Sequence, residues 1–151
     1  MARARVGVLR GGRGDEYDVS LKSGAAVLKN LKEHYLGCDI LITKDGTWHF
    51  KGLPISPAAL TRQVEVIFNA LHGVFGEDGQ VQTILENLGL PYTGSRPLGA
   101  ALSTQKEAAK KIFRADGILV PPGLFFQKDS AWSVAQEVFR RLPPPWVVKP
   151  A

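Results

Sequence analysis

His72, Glu77 and Asp78 stand among three glycines in the stretch His72-Gly73-Val74-Phe75-Gly76-Glu77-Asp78-Gly79. An imidazole followed by two carboxylates can be held in one tautomer and can orient or polarise a neighbouring acid. The same residues also suit a purely structural turn. A second stretch, Gly11-Gly12-Arg13-Gly14-Asp15-Glu16, is rich in glycine and followed closely by Asp18. Backbone N–H groups at such a turn can hold an anion. However, the order Gly-x-Gly-x-x-Gly and the Gly-Lys-Ser/Thr ending are both missing. Asp15, Glu16 and Asp18 would repel a phosphate and suit a cationic group such as an amine. Alternatively they complement the dipole of a following helix. His34 and His49 have no comparable setting and are expected at the surface. Cys38 is the only cysteine and opens the apolar run to Ile42, so it reads as a buried, inert thiol.

The elements that must position these groups alternate in type. Val6, Val8 and Leu9 form a short buried strand ending at Gly11-Gly12. Leu21, Ala25, Leu28 and Leu31 then recur at helical spacing, with Lys22, Lys29 and Glu33 opposite and Asp18 as a cap. Cys38 to Thr43 is a second strand, followed by the Asp45-Gly46 turn and an edge-like segment from Thr47 to Phe50. Ser56-Pro57 starts a brief helix. Val64 to Leu71 is the strongest strand and empties into the His72 loop, after which a helix runs from Gln80 to Leu88 and stops at Gly89. Pro91 to Ser95 is an extended piece and turn, and Pro97 to Leu102 a helical stretch. The pattern predicts an α/β domain with an open, mainly parallel sheet flanked by helices over residues 1–103. Ligands bind such sheets at the carboxyl ends of the strands, where both glycine loops fall.

From residue 104 to 151 the character changes. Thr104-Gln105-Lys106-Glu107 has capping-box spacing and opens a helix to Asp116, ended by Gly117. A strand Leu124 to Gln127 follows, then a helix capped by Ser130 with Trp132, Ala135, Val138 or Phe139 and Leu142 inward, then a strand Trp146 to Lys149. The stretch after Gly117 is too short for an unaided core, which takes roughly 40 residues.

At 151 residues, with 44% hydrophobic and 22% charged residues, the composition is that of a soluble globular protein and excludes disordered and collagen-like classes. No apolar run reaches the roughly 18 residues of a membrane span, and no secretory leader is read at the N-terminus. A cytoplasmic location and no membrane partner are expected. The net charge of +5 is spread over basic residues from Arg3 to Lys149 without a block or interleaved aromatics, which argues against nucleic acid.

Asn69-Ala70-Leu71-His72-Gly73, Gly76-Glu77-Asp78-Gly79, Gln82 and Pro91-Tyr92-Thr93-Gly94-Ser95 form an ordered series. Leu9-Arg10-Gly11-Gly12, Glu16, Val19-Ser20-Leu21 and Ser23-Gly24 precede it; Lys106, Gly117 to Pro122 and Val147-Val148-Lys149-Pro150 continue it. Together these motifs closely resemble the N-terminal part of the D-alanine--D-alanine ligase family over essentially the whole chain. The resemblance implies a Rossmann-like pre-ATP-grasp domain that binds substrate, followed by an incomplete α+β ATP-grasp subdomain. It implies ligation of two D-alanines for peptidoglycan, driven by ATP with Mg2+ through an acyl phosphate.

By the same resemblance, Glu16 meets the ammonium group of the first D-alanine, Ser20 belongs to that substrate site, and His72 lies beside the substrate carboxylate. Lys106 and Lys149 reach ATP phosphates. Gly73, Gly76, Glu77, Asp78 and Gly79 form a supporting loop expected to pair with a basic group outside this chain. Arg10 replaces an apolar or aromatic residue of the family and would place a long cation at the substrate-side turn. Gln105 replaces a common acid before Lys106. The family's serine-rich loop, adenine-contacting strand, acyl-phosphate arginine and magnesium ligands would lie beyond Ala151. The 151 residues alone are therefore expected not to turn over. A parent of altered specificity, for D-lactate or D-serine, is one alternative, and a non-catalytic remnant that binds ligand or forms a homodimer through the N-terminal domain is another.

Overall fold

A computed structural model describes residues 3–126 and 131–149. The chain divides into two units, Met1–Thr104 and Gln105–Ala151. The first is built on a five-stranded sheet of order β4-β3-β2-β1-β5. Its strands are β1 (Ala4–Gly11), β2 (Tyr35–Ile42), β3 (Trp48–Phe50), β4 (Leu53–Pro54) and β5 (Val66–Asn69). β1 lies at the centre of the parallel part, paired with β2 on one side and β5 on the other. β3 and β4 extend the sheet antiparallel through short turns. The sheet is thus mixed, because the Asp45-Gly46 turn folds β3 straight back on β2, whereas β1, β2 and β5 are joined by longer crossings.

Alternation along β1 sends Val6 and Val8 to one face and Leu9 to the other. Val6, Val8 and Ala70 pack with Val27 and Leu28 of helix α1 (Tyr17–Asn30) and with Leu31 just beyond its end. Leu9, Ile40, Ile42 and Ile67 pack on the opposite face with Val81 and Leu85 of α2 (Gln80–Asn87), together with Leu60, Trp48 and Phe75. Each fully buried aliphatic side chain of this kind contributes about 1.5–3 kcal/mol relative to exposure. Leu60 comes from a 3-10 helix (Pro57–Arg62) that follows Ser56. α3 (Pro97–Thr104) closes the first unit.

α1 departs from the expected face. Its fully covered positions are Ser20 and Gly24, whereas Leu21 is half-buried and Ala25 exposed. The helix is drawn close to β1 by small residues: a Cβ on Gly24 would come 2.9 Å from Arg10 Cδ. Arg10 therefore does not project into the substrate-side turn. It runs beneath α1 and bonds Asp39 of β2 at two points, Nε to Oδ1 at 2.6 Å and Nη2 to Oδ2 at 2.7 Å. Asp39 keeps the guanidinium protonated above its ordinary range. Asp18 is not the cap either; Glu16 occupies that position, with no side-chain capping bond, and Asp18 lies within the first turn. Cys38 is buried, and that burial pushes its thiol pKa up.

In the second unit, α4 (Lys106–Ala115) begins at Gln105, and α5 spans Ala131–Arg141. The capping box does not form, because Thr104 ends α3 and its hydroxyl bonds the Ala101 carbonyl. Residues 124–126 and 146–149 form no strand, since an extended segment counts as one only when paired and neither finds a ladder partner among the described residues. Gln127 and Ser130 lie outside the described residues, as does the side chain of Trp132. Of the alternatives Val138 and Phe139, Val138 is half-buried, whereas Phe139 is 70% exposed and meets Trp146 edge to face; Ala135, expected inward, is exposed.

Candidate functional site

Two loops leave the carboxyl ends of β1 and β5 and meet. The first is anchored by Ser20, whose side chain is wholly buried. Its Oγ accepts the Gly11 N–H at 2.9 Å and donates to the Ala70 carbonyl at 2.8 Å, tying the ends of both strands to α1. The hydroxyl is thereby spent on backbone groups behind the site. Gly12 N–H donates to the Ile42 carbonyl and fixes the turn against β2. Beyond it Glu16 is exposed, and its carboxylate accepts no hydrogen bond among the described residues.

The second loop is braced from within. Gly76 carbonyl accepts both Asn69 Nδ2 at 2.9 Å and Gln82 Nε2 at 2.7 Å, so a β5 side chain and an α2 side chain grip the same peptide. Asp78 accepts the Phe75 N–H at 2.9 Å, the Gln80 N–H at 3.1 Å and Gln80 Nε2 at 2.7 Å. Burial would raise its pKa, but these bonds to the ionised form outweigh that and hold the carboxyl below its ordinary range. Phe75 adopts φ 76°, a left-handed conformation unusual for a bulky residue, while its ring is buried in the core. The bracing holds this conformation and sets the direction in which His72 leaves the strand.

The loops touch at Gly73. It has φ 63°, which favours glycine, and the Glu16 carboxylate lies where a Cβ would stand. Glu16 thus lies beside the residue that follows His72. The imidazole, 33% exposed, is held between Ser23 Oγ, 2.9 Å from Nε2, and Glu77 Oε1, 3.6 Å from Nδ1. The result is an exposed carboxylate free to meet a cation, next to an ordered imidazole. A small zwitterion has the complementary charges.

Ser23, Asn69 and Gln82 support this arrangement, and residue type alone did not single them out. Ser23 could have been found by period: positions 16, 20 and 23 fall on one face of α1. His49, expected at the surface, is half-buried on β3 between Leu41 and Pro54, with Nδ1 enclosed and without a hydrogen-bond partner among the described residues. Lys106 is exposed at the first turn of α4 and Lys149 is exposed in the last described residues, both in the second unit. Their cationic, solvated ends suit phosphate. No cluster of three or more His, Cys, Asp or Glu fit to hold a metal occurs among the described residues.

The family described as D-ala D-ala ligase N-terminus matches at residues 5–55 and 51–95. The chain is 38% identical over 151 residues to the D-alanine--D-alanine ligase of Pelotomaculum thermopropionicum, covering 96% of this chain and 45% of that protein. It is 40% identical over 149 residues to that of Anaeromyxobacter sp., covering 97% and 45%. The D-alanine-D-alanine ligase structure from Coxiella burnetii superposes with TM-score 0.78 at 26% identity, over 93% of this chain and 49% of that one. VanG D-Ala:D-Ser ligase from Enterococcus faecalis gives TM-score 0.73 at 29% identity, over 95% and 50%. The chain spans a little under half the length of its curated relatives. With the family's own region covering more than half of these residues, the chain belongs to the D-alanine--D-alanine ligase N-terminal family.

Proposed function

We propose that the first unit is the part of an ATP-dependent D-alanine--D-alanine ligase that receives the first D-alanine, and that residues 104–151 begin its central ATP-grasp region. The observation that carries this reading is the exposed Glu16 carboxylate, without a hydrogen bond among the described residues and laid over Gly73 beside His72. Glu16 binds the substrate ammonium by charge and hydrogen bonding. His72 stands at the carboxylate end. Ser20 acts from behind, fixing the distance between the two loops rather than touching substrate. ATP supplies the phosphoryl group that activates the first carboxylate, so that the amine of a second D-alanine can displace it. Lys106 and Lys149 serve as point charges on phosphate oxygens. The family's requirement for Mg2+ is assigned to no residue here.

The setting is peptidoglycan synthesis in the cytoplasm; no helix among the described residues is long and apolar enough to cross a membrane. The first unit also forms the homodimer contact, which light scattering at two protein concentrations measures. The decisive experiment is ADP release with ATP and D-alanine. The 151 residues alone give none, and the chain extended to the length of its relatives gives robust turnover that Glu16→Ala reduces by at least 100-fold, as expected for loss of a charge at the substrate, on the order of 3 kcal/mol. Turnover by the 151 residues alone, or an extended chain inert with D-alanine, defeats the reading. A second reading, ligation of D-alanine to D-serine, is favoured by the similar superposition of the D-Ala:D-Ser ligase. Dependence on D-serine in the same assay distinguishes it.

A further inference from the structure

Ser23 lies three residues after Ser20 and seven after Glu16, on the face of α1 turned towards the end of β5. A serine inside a helix ordinarily bonds the carbonyl one turn back. Ser23 makes no such bond among the described residues, and its Oγ instead lies 2.9 Å from His72 Nε2. The other ring nitrogen faces Glu77 Oε1 at 3.6 Å. One ring nitrogen is therefore held by α1 through a hydrogen bond, and the other faces the carboxylate of its own loop at a distance beyond one.

The two contacts are not interchangeable. An ionised carboxylate only accepts, and a neutral imidazole has one N–H and one lone pair. A lone pair on Nδ1 facing Glu77 would be repelled, whereas an N–H there is attracted. The proton of the neutral ring therefore belongs on Nδ1, leaving Nε2 as acceptor. A hydroxyl can donate or accept by rotating. Ser23 thus donates to Nε2 of the neutral ring. The charged groups around the ring are Glu77 of its own loop and Glu16, which reaches Gly73 from the β1–α1 loop; α1 faces it with the uncharged Ser23.

We infer that Ser23 is a positioning residue acting through His72: it holds Nε2 and so orients the ring, while Glu77 facing the other nitrogen fixes the neutral ring as the Nδ1–H tautomer. The functional meaning rests on the proposed reading of His72 as the group beside the substrate carboxylate, whereas the tautomer itself does not. Free histidine side chains favour Nε2–H, so the protein would be enforcing the less common form.

The test is ring 15N NMR on the 151-residue chain labelled at histidine, with His72 assigned by its loss in His72→Gln. On the alkaline side of the ring titration, His72 should show a protonated Nδ1. Ser23→Ala should keep the protonated Nδ1 but shift the Nε2 resonance, which has lost its donor, Ser23→Thr should leave both unchanged, Glu77→Leu should lose the signature in favour of Nε2–H, and the signals of His34 and His49 should not move. Nε2–H in the wild type, or an Nε2 resonance unchanged in Ser23→Ala, overturns the inference. If Ser23→Ala does not fold, the wild-type spectrum and Glu77→Leu decide: retention of Nδ1–H without the carboxylate overturns it equally. A separate titration with D-alanine reports on the substrate reading, since absent binding would defeat that reading while leaving the tautomer result standing.

Discussion

Every buried hydrophobic side chain among the described residues lies between Val6 and Ala100, whereas from Gln105 onward the large apolar residues Ile112, Phe113, Ile118, Leu119, Phe125, Phe139, Val147 and Val148 are exposed. Both units have amphipathic helices, so helix-forming sequence does not separate them. What separates them is a sheet. In the first unit β1 offers two apolar faces, and α1 and α2 each cover one. In the second, α4 contains no buried residue. An amphipathic helix gains most of its stability from the surface it covers, so the two units should respond very differently to the same chemical change.

The largest effect tests that contrast directly. Leu9→Ala removes a fully buried side chain from the central strand and should cost about 2–5 kcal/mol in urea unfolding. Ile112→Ala, at a position 42% exposed on α4, should cost less than about 1 kcal/mol. Equal losses would mean that α4 is covered as well as β1. Brief trypsin treatment extends the comparison: cleavage after Lys110, Lys111 or Arg114 should precede cleavage after Lys22 or Lys29 of α1, leaving a folded product that ends between Lys110 and Arg114. Simultaneous cutting in both helices would contradict it.

The same contrast explains what the sequence made legible. Where a residue's partners were close in the chain and periodic, the reading was sound: β1, the turn at Asp45-Gly46, and α2 with its stop at Gly89 all follow from local pattern. Three features were settled by contacts that the spacing of residue types does not register. The face of α1 is set by the close approach of Gly24 to Arg10, which apolar periodicity does not register. Arg10 looked like a group for the turn, but its partner Asp39 lies on a neighbouring strand and pulls it beneath the helix. Thr104-Gln105-Lys106-Glu107 has the spacing of a capping box, but the preceding helix claims the threonine. Within the site, Glu16, His72, Glu77 and Asp78 were visible by type. The clamp of Asn69 and Gln82 on one carbonyl was visible only as two residues within a family motif, because both bonds depend on the loop's final shape.

A smaller effect tests how tightly the first unit is built around its loops. Gly73→Ala puts a Cβ into the Glu16 carboxylate at a left-handed backbone position. It should cost about 1–2 kcal/mol in stability and should move Glu16, so that D-alanine binding falls even though no charged group has been removed. Gly117→Ala, also at positive φ but with open space around its Cβ, should carry only the backbone part of that cost and leave binding unchanged. If the two substitutions prove equivalent, contact between the loops is not what restricts residue 73.

The smallest effect concerns charge. The carboxyls held below their ordinary range, Asp45, Glu65, Asp78 and Glu86, all belong to the first unit. A carboxyl whose folded pKa is depressed stabilises the fold above its unfolded pKa and loses that contribution as pH falls through the folded value. Acid should therefore loosen the first unit between its ordinary carboxyl range near 3.8 and the depressed value, which for Asp45 is about 2. Asp45 is fully exposed, so its shift comes from bonding: the Thr43 hydroxyl first, then the Thr47 hydroxyl and N–H. An NMR titration of the Asp45 carboxyl should give a midpoint near 2, and Thr43→Val should move it back towards 3.8 without altering the Leu9 core. A midpoint that stays near 2 in Thr43→Val would assign the shift to something other than this turn, and the β2–β3 reversal would then owe less to its side chains than the bonding pattern indicates.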